Sequence, residues 1–219
     1  MASSPFVKTD IPTSFKDHPG VLSALLYTPL RLCNLNCYHC HNKHLAPKEY
    51  ERFNYGELEE KLSLCKLLGV ELVIVSGGEP TLEPRLEEGL KFIKEKGFPV
   101  RLDTNGTEPE RVEKLAQNRL IDGVALDVKI PLLDEYTPHQ LKRFKRVLFS
   151  REDLEDSEVY NYVNRVKLTI EVLKRYSLPF TLLRTVEYPL LTDEDKELIR
   201  GSLKSFPHQF NPFYPVEAE

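Results

Sequence analysis

The chain has 219 residues, 41% of them hydrophobic, and carries 30 basic and 34 acidic side chains for a net charge of −4. That length suits one well-buried domain, and the small negative charge provides no positive field to recruit nucleic acid or an anionic membrane surface. No stretch approaches the roughly 20 apolar residues of a membrane span, and MASSPFVKTD at the start lacks the apolar core of a signal peptide. The expectation is therefore a cytoplasmic protein whose partners are proteins or small molecules, with no nucleic acid and no membrane.

In chain order, Asp17, His18, Pro19 and Gly20 have the composition of a turn. LSALLYT (22–28) reads as the first strand, and RLCNLNCYHCHN (31–42) follows it with three of the four cysteines, Cys33, Cys37 and Cys40. Cys65 shares a helical face with Leu58 and Leu62, which makes it a small core residue and no ligand. ELVIVSGG (71–78) reads as the second strand and runs into SGGEP (76–80). Leu86, Leu90 and Ile93 line one helix face before Gly97, and Pro109 opens the next helix after VRLDTNG (100–106).

GVALDVKI (123–130) is the fourth strand, after which residues 131–157 break the rhythm as an insertion with a basic cluster, Lys142, Arg143, Lys145 and Arg146. An insertion of that length in a compact domain is functional or mobile. The cluster reads first as a solvated helix face and second as a docking surface. Val159, Val163, Val166, Ile170 and Leu173 form a helical stripe, FTLLRTVEY (180–188) is the fifth strand, and Thr192 with Asp195 resembles a capping box. A short last strand lies within HQFNPFYPV (208–216).

Six alternations of strand and helix, with continuous rather than alternating apolar strands, specify an α/β fold with a parallel sheet covered on both faces or closed on itself. The expected architecture is a partial (β/α)6 barrel, TIM-like and open on one side, formed by residues 1–219 as one domain with an N-terminal segment over about 1–20. In such folds the reactive groups sit at the C-terminal ends of strands, and SGGEP, DTNG, DVK and RTVEY all fall there.

Clustered cysteines in a reducing compartment are thiolate ligands rather than disulfides. A cubane cluster is generally held by four thiolates, so three leave one iron open to a substrate or cofactor, much as catalytic zinc keeps a free position. A structural zinc site, completed by His39 or His41, satisfies the same spacing. Gly77 and Gly78 let the backbone approach an ammonium group closely, and Glu79 or exposed carbonyls can accept its hydrogen bonds. The same residues also suit an ordinary tight turn.

C-x3-C-x2-C after a first strand, with Gly-Gly-Glu-Pro after the second, resembles the radical S-adenosylmethionine enzymes over nearly the whole chain. The resemblance implies that Cys33, Cys37 and Cys40 bind three irons of a [4Fe-4S] cluster and that S-adenosylmethionine chelates the fourth. An electron then cleaves the sulfonium to give methionine and a 5′-deoxyadenosyl radical. It further implies cofactor contacts from Gly77, Gly78 and Glu79, from the strand ends bearing Asp103, Asn105 and Asp127, from Lys129 toward the cofactor carboxylate, and from Arg184. Asp103, Thr104 and Asp127 correspond to a monovalent-cation site of some members. His39 stands where the family has an aromatic residue near adenine, and Leu32 where a glycine is common.

Cys40, His41 and Asn42, together with Asp-x-Pro-Gly at 17–20, resemble the activating enzymes of glycyl radical proteins. The bulky His18 favours the type that serves anaerobic ribonucleotide reductase over the pyruvate formate-lyase type. The implied function is an oxidoreductase that takes hydrogen from a glycine Cα of a partner enzyme, with electrons from a flavodoxin-like or ferredoxin-like donor. The alternatives are a small-molecule enzyme such as 7-carboxy-7-deazaguanine synthase, whose family follows the last cysteine with Asp-Thr, and a zinc-stabilised interaction module.

Overall fold

A computed structural model describes residues 3–44, 46–47 and 49–216. The chain enters through β1 (Ser3–Val7) and a two-residue β2 (Thr13–Ser14) before reaching β3 (Ser23–Tyr27). The cysteine segment follows as a loop that ends in the short helix α1 (His41–His44). β4 (Arg52–Asn54) then pairs antiparallel with β1, a two-stranded ribbon that the apolar pattern did not announce. Such short strands carry too little periodicity to be told from loop.

The remaining elements alternate as expected: α2 (Tyr55–Leu67), β5 (Leu72–Ser76), α3 (Leu86–Glu95), β6 (Val100–Thr104), α4 (Pro109–Gln117), β7 (Gly123–Asp127), α5 (Pro138–Phe149), α6 (Asp156–Tyr176), β8 (Leu182–Val186), α7 (Asp193–Ser202) and β9 (His208–Asn211). One seven-stranded sheet runs β2-β3-β5-β6-β7-β8-β9. Every neighbouring pair from β3 to β9 is parallel, and only β2 runs against its neighbour. Six parallel strands with helices between them make the curled half-barrel that the sequence pattern specifies.

Alternation along the strands sorts the side chains into two environments. Val100 and Leu102 of β6, Val124 and Leu126 of β7 and Leu183 of β8 join the hydrophobic core under the helices. Arg101, Asp103, Asp127 and Arg184 occupy the alternate positions and meet one another on the concave side. Capping boxes start three helices, with Asn54 and Glu57 at α2, Thr137 and Gln140 at α5, and Thr192 and Asp195 at α7 as expected. Cys65 is 4% exposed and packs in the core on α2, as its helical spacing requires. Among the described residues no helix is long and apolar enough to cross a membrane.

Residues 131–157 are ordered around α5 rather than looped out. The basic cluster on this helix meets acids of the same chain: Lys142 and Arg146 face Glu152, Arg143 pairs with the buried Asp195, and Lys145 pairs with Asp156 at 2.6 Å. Lys142 and Arg146 share the single carboxylate of Glu152, and Lys142 keeps 64% of its side chain exposed.

β1 lies across α3 at Gly89, where any Cβ would collide with the Pro5 ring and the Phe6 side chain. Gly89→Val should therefore lower the unfolding free energy by about 1–3 kcal/mol through overpacking. Denaturant titration checks this, and an unchanged midpoint would mean that β1 does not pack here.

Candidate active site

A cavity of about 500 Å3 opens at the C-terminal ends of the parallel strands. Its wall includes Cys33, Cys37 and Cys40 from the loop after β3, Gly77, Gly78 and Glu79 after β5, and Asp103 and Asn105 at the end of β6. Asp127, Lys129, Arg184 and His39 border the same space. The twelve residues singled out from the sequence thus lie together, because a parallel sheet brings all its strand ends to one rim.

The cysteine loop is held from two sides. On one, the Leu32 carbonyl accepts the Glu79 N–H at 2.7 Å, and a Cβ at Gly78 would strike that same carbonyl, so only glycine permits this approach. On the other, the last turn of α5 presents its free carbonyls to the loop. Leu148 O accepts the Asn36 N–H and Val147 O accepts the Tyr38 N–H, each at 3.0 Å. Ser150, in left-handed conformation at the helix end, donates its hydroxyl to Asn36 O at 2.9 Å, and Asn36 Nδ2 donates to Phe149 O. Cys37 sits between the two clamped residues. The helix of the insertion thereby satisfies its own orphan C-terminal carbonyls while fixing the middle cysteine.

Burial pushes the Cys37 thiol up to about 11, with the nearby Lys129 ammonium opposing it. Cys33 is also raised, chiefly by burial. Asn105 Nδ2 reaches Cys33 Sγ at 3.9 Å and Asn34 Oδ1 at 3.0 Å, and its own Oδ1 accepts from the N–H and the hydroxyl of Thr107.

Glu79 is fully buried, and its carboxylate accepts four hydrogen bonds: from the Thr81 N–H and hydroxyl, from the Thr104 hydroxyl and from the Asn105 N–H. Both oxygens are thus committed to the chain. Burial raises its pKa, opposed by those four donors. The neighbouring Gly77 carbonyl already accepts the side-chain amide of Asn42. Glu79 instead staples the end of β5 to the end of β6.

The concave charges form one chain of contacts. Arg101, with no exposed surface, donates through Nε to Asp103 Oδ1 at 3.0 Å. Arg184 donates through Nη1 to Asp103 Oδ2 at 3.0 Å and through Nε to Asp127 Oδ1 at 2.9 Å. Lys129 Nζ stands 3.5 Å from Asp127 Oδ2, a long ion pair that leaves donors free to face the cavity. Burial alone would raise the Asp127 carboxyl, but Arg184 and Lys129 outweigh it and hold it below the usual range. Lys129 is held well above the ordinary lysine value: Cys37 and Asp127 overcome the opposing effect of burial.

The C-terminal segment closes one side of the mouth, a role the sequence did not signal. Phe213 stacks on Tyr38 with ring centroids 5.9 Å apart and meets His39 and Tyr188 edge-on or tilted. His39, at a φ of 47°, accepts the Val216 N–H at Nδ1, and His41 Nε2 donates to Tyr214 O at 2.7 Å. Each of these histidines thus holds one ring nitrogen on the backbone of the C-terminal segment. Among the described residues no three His, Cys, Asp or Glu groups stand close enough to hold a single metal ion.

Residues 27–200 match the family model described as the radical SAM superfamily. A protein of Methanocaldococcus jannaschii, provisionally named a glycyl-radical enzyme activating enzyme, is 34% identical over 180 residues, covering 82% of this chain and 67% of the relative. The 7-carboxy-7-deazaguanine synthase of Methanopyrus kandleri is 28% identical over 157 residues, covering 59% of this chain and 62% of that protein. Among solved structures, the hydrogenase maturase HydG superposes with a TM-score of 0.60 at 14% identity, over 89% of this chain and 43% of that one, which speaks for the fold alone.

The α5 clamp gives a testable local effect. Asn36→Ala combined with Ser150→Ala removes the two side-chain bonds of the clamp, worth about 0.5–1.5 kcal/mol each. In the metal-free protein, amide exchange at residues 36–38 should accelerate roughly tenfold with little change at β6 or β7. Uniform acceleration across the sheet would show that the clamp is not local.

Proposed function

The chain belongs to the radical SAM superfamily, and on that footing we propose that it activates a glycyl radical enzyme of the anaerobic ribonucleotide reductase type. The family works with a [4Fe-4S] cluster and S-adenosylmethionine. The observation that carries the narrower reading is the 34% identity to the provisionally named activating enzyme, supported by Asp17, Pro19, Gly20 and the Cys40-His41-Asn42 sequence.

The donor set fits the cofactors. Cys33, Cys37 and Cys40 share one cavity wall, while the fourth cysteine is sealed in the core. Three irons would be held by these thiolates and the fourth would face the cavity. When bound, the cluster and the sulfonium supply one-electron cleavage of a carbon–sulfur bond and, with it, hydrogen-atom abstraction.

The chain's own part is orientation and exclusion of water. Lys129, kept charged by its neighbours, offers a charge-assisted contact to a carboxylate. The Gly77-Gly78 turn borders the same cavity, where its backbone would accept from an ammonium group beside the bond that Gly77 O already takes from Asn42. Leu35, Val186 and Tyr188 add apolar surface to the cavity wall. His18 is given no acid or base role, because abstraction of a hydrogen atom transfers no separate proton. The substrate glycine would enter from the rim where Tyr214 lies 64% exposed, and a flavodoxin-like or ferredoxin-like protein would deliver the electron.

Anaerobic reconstitution should load iron and sulfide on the wild type and on Cys65→Ala, while alanine at Cys33, Cys37 or Cys40 should abolish the cluster by absorbance and iron analysis. Equal loss at Cys65 would overturn the ligand set. Lys129→Ala should weaken S-adenosylmethionine binding by about 10- to 100-fold, the worth of one charge-assisted hydrogen bond. Mixing the reduced enzyme with a candidate reductase should produce a glycine-centred doublet in electron paramagnetic resonance. Turnover of a small substrate with no protein radical would favour the deazaguanine-forming class instead.

A further inference from the structure

We propose that the Arg184 guanidinium is the built-in counter-ion of Asp103 and Asp127, standing where a monovalent metal cation would otherwise bridge the two carboxylates. The resemblance assigns such a cation to Asp103, Thr104 and Asp127, and the residues present do not fit it. All four carboxylate oxygens already face cationic side chains: Asp103 Oδ1 meets Arg101 at 3.0 Å, Asp103 Oδ2 meets Arg184 at 3.0 Å, Asp127 Oδ1 meets Arg184 at 2.9 Å, and Asp127 Oδ2 faces Lys129 at 3.5 Å. Thr104 gives its hydroxyl proton to Glu79 and accepts the Gly106 N–H, so its oxygen is already engaged on both counts.

Charge and shape agree with this placement. Arg101, Arg184 and Lys129 face Asp103 and Asp127, so the group carries one positive charge in excess before any metal ion arrives. Another cation would meet net repulsion at short range. A guanidinium is planar and carries its donors in a fixed fork, which lets one side chain serve carboxylates on two strands. Backbone register supplies the distance: Asp127 lies directly across from Arg184, and β6 lies on the far side of β7. The Arg184 side chain is 17% exposed and borders the cavity, so a gap left by its removal would be open to ions. Its pKa is held above the ordinary arginine value, because the two aspartates outweigh the effect of burial. None of this depends on which protein or molecule the cavity acts upon.

The test uses the metal-free full chain in potassium, sodium or choline chloride at matched ionic strength, with the thermal midpoint as readout. Wild type should melt at the same temperature, within about 1 °C, in all three salts. Arg184→Ala leaves two carboxylates without a bridge and should melt lower. Potassium or sodium, but not choline, should then raise its midpoint saturably, by about 5–10 °C at 100 times the dissociation constant. Arg184→Met fills the gap with apolar volume and should show no such rescue, which separates a bound ion from general screening. Arg184→Lys, whose ammonium meets one carboxylate at a time, keeps the test open if the alanine variant fails to fold and should respond weakly but selectively. After cluster loading, S-adenosylmethionine affinity should follow the same pattern, changing by less than about twofold between salts for wild type and about tenfold for Arg184→Ala. A saturable potassium or sodium shift in wild type would overturn the inference, as would choline acting as well as potassium on Arg184→Ala, or no cation response in either the alanine or the lysine variant.

Discussion

A carboxylate drawn out of water must be given donors or counter-charges, and the site is organised around three that are: the buried Glu79 and Asp103 and the half-buried Asp127 at the cavity wall. Glu79 takes four neutral donors from two successive strand ends and so fixes the Gly-Gly turn against the loop after β6. Asp103 and Asp127 take cations from β6, β8 and the end of β7. Removing Glu79 or Asp103 would leave buried donors without partners, which is more costly than the loss of a single net hydrogen bond.

The same economy of partners extends to the cysteine loop. A loop of this kind has few backbone bonds of its own, and here it borrows them from its surroundings. The Leu32 carbonyl is used by Glu79, and the amides on either side of Cys37 are used by the end of α5. A helix C-terminus leaves carbonyls without intrahelical partners, so the insertion and the loop complete each other. The thiols are therefore positioned by elements about 50 and 110 residues further along the chain, consistent with metal sites whose outer partners orient the ligands.

Electrostatics point the same way. The concave side carries three cationic groups against two aspartates, and Lys129 acts on Cys37 in the direction that favours the thiolate. The buried Glu79 acts on Cys33 in the opposite direction. Both signs thus stand within a few ångströms, and the alternation of arginine, aspartate and lysine along neighbouring strands supplies them without an unpaired buried charge on the acidic side.

Much of this was legible in the chain itself. The apolar runs at 71–76 and 123–127 specify buried parallel strands, the stripe from Val159 to Leu173 specifies its helix, and the spacing of Cys33, Cys37 and Cys40 beside Gly77 and Gly78 specifies where chemistry gathers, because periodicity, glycine and ligand spacing are local properties. Other features had no local signal. That Glu79 faces Thr81, Thr104 and Asn105 rather than a ligand, that Arg184 spans two aspartates, that the basic residues of α5 are all paired, and that Phe213 lies against Tyr38 all depend on contacts between residues distant in sequence. The amino-acid order determined the strands, the helices and the candidate ligands. Only the tertiary structure decided which charges neutralise one another, since a side chain's partner is set by the register of neighbouring strands and not by the residues beside it.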